Sequence, residues 1–190
     1  MISLREIVAA LTGAWRLAQL DPRAMSWFDS SEIGYWRSFF AAVLCLPAYI
    51  IITGVDLAQT PVEASDLRIV AVHTIAYVIR WTALPLAMVS VTRMLDREAN
   101  YMAFVVARNW SSVLAVILFL PIITIADFSP SLMAVLSLTV TALVLAYQWV
   151  VARAALAISG PQALIIVGLD LLIDLLVISA TRVLLPALPV

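Results

Sequence analysis

Apolar positions gather into five long runs divided by short polar stretches, at about 38–55, 69–92, 101–126, 131–151 and 163–184. A helix rises 1.5 Å per residue, so roughly 20 apolar residues cross a hydrocarbon layer of ~30 Å. The runs therefore predict five transmembrane helices, and the short connections predict antiparallel neighbours. The expected fold is all-α and integral to the membrane. An N-terminal amphipathic interfacial segment (1–30) precedes a five-transmembrane-helix bundle (31–190).

The segment before the first run has a different rhythm. Leu4, Val8, Leu11, Trp15 and Ala18 recur at helical spacing over 2–20, beside a polar strip of Arg5, Thr12, Arg16 and Gln19. Asp21-Pro22 should end this helix. The pattern suits a helix lying in the membrane interface with Trp15 at headgroup level; the alternative is a short helix packed under the bundle. Asp29-Ser-Ser-Glu32 looks like the next helix start, an oxygen-bearing cap with an acid three residues on. Asp56, Glu63 and Asp66 are expected in a loop around Pro61. Arg93 to Asn100 should form a charged turn, Asp127 to Pro130 a tight turn, and Pro186 and Pro189 a proline-rich end.

Composition makes lipid part of the solvent. The 190 residues are 64% hydrophobic and 12% charged, with a mean hydropathy of +1.08. Soluble domains run at about 45–50% apolar and 25% charged. The net charge of -1 argues against nucleic acid as a partner. All eleven basic residues are arginine. Cys45 and His73 are the single cysteine and histidine, which gives no disulfide and no usual zinc or haem site, so no cofactor or metal is expected. Residues 1–20 carry too many polar groups for a cleavable signal peptide, which leaves the first span as the targeting signal.

Arginine placement sets the orientation. Arg5, Arg16, Arg23, Arg37, Arg93, Arg97 and Arg153 fall on one side, with Trp15, Trp27, Trp36 and Trp149 at the same interface. The other side holds Arg68 and Arg182 at span ends, with Asp56, Glu63, Asp66 and Asp127. The positive-inside rule puts the N-terminus in the cytoplasm and the C-terminus in the periplasm of a bacterial inner membrane.

Four charges lie deep inside the runs, away from their ends: Arg80, Arg108, Asp170 and Asp174. Charges at such depth are costly and need compensation. Arg80 lies about 17 Å from the outer end of its helix, Asp170 about 11 Å and Asp174 about 17 Å from the inner end of theirs, and Arg108 about 10 Å into the third. Asp170 and Asp174 are four apart and share a face. An economical arrangement pairs Arg80 with Asp174 and Arg108 with Asp170, pinning three helices together. The alternative lets Arg108 snorkel to the cytoplasmic interface, leaving one acid without a countercharge and able to relay protons. His73, Tyr77, Arg80 and Leu84 share a helical face, so polar groups point along one stripe from the outer side inward.

Pro47, Pro85 and Pro121 interrupt the first three spans; proline frees a backbone carbonyl, although it is common in membrane helices. Ser111, Ser112, Ser137, Thr139 and Thr141 should bond across helices or to their own carbonyls. No Gly-xxx-Gly pair, zinc-protease histidine motif, serine-nucleophile elbow or phosphate-binding glycine loop occurs, and a non-enzymatic role is expected.

A polar cytoplasmic N-terminal segment, five close spans, short loops and an exported C-terminus resemble the Yip1 family of membrane proteins. The stretch Trp36-Arg37-Ser38-Phe39-Phe40, leading into a proline-containing first span, is similar to small proteobacterial membrane proteins of that broad kind. The resemblance implies a role in membrane trafficking or organisation. The family's Asp-Leu-Tyr-Gly-Pro signature is missing here, so no functional residue is carried over.

Two functions follow as expectations. One is a non-catalytic bundle that organises membrane partners or itself oligomerises, with the lipid bilayer as its surroundings. It predicts paired charges and no continuous polar cavity. The other is a small proton-linked transporter or channel subunit. It predicts a water-filled cavity reaching Asp170 or Asp174.

Overall fold

Ser3 starts the first helix, α1 (Leu4–Ala18). The Glu6 backbone N–H donates to Ser3 Oγ at 3.2 Å, and the Ser3 N–H donates to Glu6 Oε2 at 2.6 Å. Two backbone donors that the helix leaves free are thereby satisfied. Arg37 donates to the same carboxylate. The two bonds from Ser3, and then the Arg37 charge, hold the Glu6 carboxyl below its ordinary value. A computed structural model describes residues 2–125 and 130–188. Ala126, residues 127–129 of the turn expected from Asp127 to Pro130, and Pro189 lie outside the described residues; Pro130 itself is helical.

The helix ends earlier than Asp21-Pro22 suggests. Leu20 turns left-handed at φ 61, and the Asp21 N–H donates to Arg16 O at 3.0 Å. A 3-10 turn (Ala24–Trp27) leads to α2 (Glu32–Ser38). Its cap is Ser31 rather than Asp29: Ser31 Oγ accepts from Gly34 N–H at 3.1 Å. Asp29 instead accepts from Ser31 N–H at 3.0 Å, and the Ser31 side chain together with this backbone bond holds its carboxyl below the usual range. Gly34 sits so near that a Cβ there would lie 2.0 Å from Asp29 O.

Five longer helices follow: α3 (Phe40–Gln59), α4 (Asp66–Met94), α5 (Tyr101–Ile125), α6 (Pro130–Leu156) and α7 (Gly160–Leu184). Among the described residues, five helical stretches are long and apolar enough to cross a membrane, α2 and α3 counting as one stretch. α3, α4 and α5 run on through Pro47, Pro85 and Pro121, so these prolines end no helix. Asp56 is not in a loop. α3 continues to Gln59, where Thr60 N–H donates to Asp56 O at 2.8 Å and Pro61 stops the helix. Asp66 likewise opens α4, behind its cap Ser65.

α5 is the central helix, packed against α1, α2, α3, α4 and α6; α7 lies against α4 and α6. Phe104, Val105, Val106, Ala107 and Trp110 of α5 are buried. The face of α1 that meets the bundle differs from the expected stripe. Ala10, Gly13, Ala14 and Leu17 are buried, whereas Leu4, Val8 and Trp15 are exposed. Small residues let backbones approach closely. Here that allows the Tyr147 hydroxyl to donate to Ala14 O at 2.7 Å while lying 2.8 Å from Ser111 Oγ.

The two ends of the bundle are built differently. At the end carrying α1 and α2, polar side chains stitch helix to helix. Tyr35 meets the Tyr101 hydroxyl at 3.1 Å, and Tyr101 donates to Pro85 O at 3.2 Å. Asn109 donates to Ser38 Oγ at 2.9 Å, and Asn100 to Ala155 O at 3.1 Å. Arginine is anchored there too. Arg16 bonds Asp21 at 3.1 Å and covers the Trp27 ring at 4.7 Å, and Arg153 covers Trp149 at 4.7 Å. At the opposite end, an isolated antiparallel bridge joins Val62 to Ala187. Glu63 N–H donates to Pro186 O at 3.0 Å and Leu188 N–H to Pro61 O at 2.9 Å. Among the described residues no strand forms.

Candidate functional site

Helical periodicity brings the embedded charges to one place. Asp170 and Asp174 project from successive turns of α7, Arg80 comes from α4 and Arg108 from α5. Arg108 Nη2 donates to both oxygens of Asp170, at 3.0 and 3.4 Å. Arg80 Nη1 stands 3.6 Å from Asp174 Oδ1. That is an ionic contact beyond hydrogen-bond length. The surroundings differ in the same sense. The side chains of Arg108 and Asp170 are 11% and 19% exposed, those of Arg80 and Asp174 32% and 43%. One pair is a part-buried, hydrogen-bonded clamp; the other is looser and more open.

What they open onto is a cavity of about 550 Å³ between α3, α4, α5, α6 and α7. Its lining starts at Arg108 and Gln148 on the side of the α1/α2 end and passes Asp170, Arg80 and Asp174. It reaches Asp56, Thr181 and Arg182 near the last turns of α3 and α7. Asp56 and Arg182 are exposed there. The cavity is in the size range of small-molecule sites, about 300–1,000 Å³. Three arginines and three aspartates line it, so their formal charges cancel.

His73 and Tyr77 also line the cavity, and both connect α4 to α3. The Tyr49 hydroxyl lies 3.3 Å from His73 Nδ1 and donates to His73 O at 3.2 Å. Tyr77 donates to Ala42 O at 2.5 Å. The rings of Tyr49 and Tyr77 are 4.6 Å apart, with Trp81 next along α4 at 6.2 Å from Tyr77. Leu84, at the inner end of the expected stripe, is buried below the cavity rather than lining it. Two lining residues keep a buried nitrogen with no protein partner: Arg108 Nε and His73 Nε2.

Tyr49, Thr53 and Asp56 are lining residues that sequence reasoning missed. Their spacing of four and three places them on one helical face, which is the signal that finds them. Ser112, by contrast, bonds back to Arg108 O at 2.9 Å, and Thr139 to Val135 O at 2.8 Å. Among the described residues no three His, Cys, Asp or Glu side chains converge as a metal site would require. The arrangement can hold a polar molecule in a charged space and exchange a proton with a carboxylate. The chain matches no protein-family model, no curated protein and no solved structure.

Proposed function

We propose that this chain is an integral protein of a bacterial inner membrane that works as a small proton-linked transporter or channel subunit. The observation that carries the reading is the cavity, which reaches both embedded aspartates. A bundle with a purely structural role predicts no continuous polar cavity. In this reading the arginine-rich end faces the cytoplasm, by the positive-inside rule. The cavity then opens towards the periplasm. The exposed face of α1, with Leu4, Val8 and Trp15, rests in the lipid interface. Asp174 is the carboxylate that takes and releases the proton, because its ion pair is the looser one. The Yip1-like resemblance concerns topology, and no residue role is drawn from it.

The pairing of both aspartates favours a second reading, a bundle that organises membrane partners or itself oligomerises. Asp174→Asn separates the two. A folded, abundant variant that has lost pH-dependent flux in proteoliposomes supports transport. A variant that fails to accumulate supports the structural role. Transport is excluded if the purified protein, reconstituted, moves neither protons nor solutes at any pH tested.

A further inference from the structure

Resting on the reading of the cavity as a water-accessible solute site, we propose that its ligand is a small zwitterion. Such a molecule carries an ammonium group and a carboxylate or phosphate a few atoms apart, and it binds between Arg80 and Asp174. The first observation is the contrast between the two ion pairs. Arg108 and Asp170 hold each other by hydrogen bonds and are mostly buried, so they form a fixed floor. Arg80 and Asp174 share one contact of 3.6 Å without a hydrogen bond, and both are partly open. Their donors and acceptors remain available for a ligand.

The second observation is charge balance. The lining already sums to zero. A simple cation that took Asp174 would leave Arg80 without its partner, and a simple anion on Arg80 would do the same to Asp174. Stranding a charge at this depth is costly. A zwitterion inserted between them leaves neither side chain unpaired: its anionic group accepts from the guanidinium, and its ammonium donates to the carboxylate. Charge-assisted bonds replace a contact that was only electrostatic. The rings of Tyr49 and Tyr77 stand along the same wall, where they give an apolar part of the ligand a surface.

The required chemistry occurs in free amino acids and in the phosphoethanolamine headgroup of a lipid, and the test separates these sources. Ile178 lines the cavity beyond Asp174 and is itself exposed. Ile178→Cys in a Cys45→Ser background is reconstituted in nanodiscs of phosphatidylglycerol alone. Its labelling rate by a membrane-impermeant thiol reagent is then measured. Labelling itself reports the water-accessible cavity; its complete absence overturns that reading and this one with it.

Alanine, leucine, free phosphoethanolamine, acetate and tetramethylammonium are added in turn. At twice the dissociation constant a zwitterion should slow labelling about threefold, while acetate and tetramethylammonium leave it unchanged. Slowing by the amino acids identifies a free solute. Slowing by phosphoethanolamine alone, reproduced by phosphatidylethanolamine in the nanodisc, identifies the headgroup. Arg80→Gln should weaken protection about tenfold or more. Prompt labelling that no zwitterion slows, or that the single ions slow equally, overturns the proposal and leaves the cavity reading standing. The ligand series needs no change at Arg80 or Asp174, so poor folding of Arg80→Gln does not remove the test.

Discussion

The two halves of the bundle solve opposite problems. The arginine-rich half is closed: α1 and α2 are packed onto α5, and side-chain hydrogen bonds run from helix to helix. Among the described residues the other half is open, with exposed charges at Asp56 and Arg182 and a backbone bridge joining the α3–α4 connection to the chain after α7. Stability concentrates where contacts are dense, and sites that must admit a ligand come from the loosely held part. The same contrast recurs on a smaller scale in the two ion pairs, one locked and one loose.

Removing a partner from the locked pair is the severest way to probe this contrast. Asp170→Ala leaves the Arg108 guanidinium buried and uncompensated, at an expected cost of about 3–5 kcal/mol. Membrane yield and thermal unfolding in detergent should both fall sharply. If they do not, the closed half is not where the fold is held.

Gly34→Ala tests the closed half from its edge. The added methyl collides with Asp29 O, so the turn before α2 must open, at an expected cost of about 1–3 kcal/mol. A lowered unfolding temperature checks this. Ala157 offers the reverse sign at the same end. It is exposed and sits at φ 52 just beyond α6. Ala157→Gly should stabilise by about 1 kcal/mol, because glycine bears no penalty in left-handed backbone.

The loose pair should register less in stability than the locked one. Asp174→Asn is expected to cost less than the ~3–5 kcal/mol of Asp170→Ala, because the pair is partly solvated, while pH-dependent flux disappears. A large loss of stability would erase the distinction between the pairs. The smallest effect belongs to pH at α1. Glu6 has a carboxyl held below its ordinary 4.5, so its contribution is complete above that pH. It is lost as pH falls below 4.5 through the lowered value. Hydrogen-exchange protection in α1, measured against the intrinsic rate at each pH, should fall over that window, and Glu6→Gln should remove the dependence.

Much of this organisation is readable in the chain, for identifiable reasons. Long apolar runs mark the five long helices; depth along a helix leaves Arg80 able to meet Asp170, Asp174 or both, and only the depth of Arg108 beside Asp170 points to the pairing seen. Hydropathy fails where a helix outlasts its apolar run. Asp56 looks like loop because it follows the apolar stretch, yet α3 carries it on to Gln59. Periodicity also leaves undecided which apolar face meets protein. On α1 the large residues Leu4, Val8 and Trp15 point away, and the small ones, Ala10, Gly13 and Ala14, make the contact. The cavity itself is least legible, since it depends on how five helices are spaced, and no single helix records that.

Both acids ride on α7, one turn apart, while their partners stand on separate neighbours. A shaft carrying two cogs that mesh with different wheels cannot slip at one without disturbing the other. Successive turns of such a helix are only about 5.4 Å apart. Any sliding of α7 along its axis would therefore disturb both pairs at once.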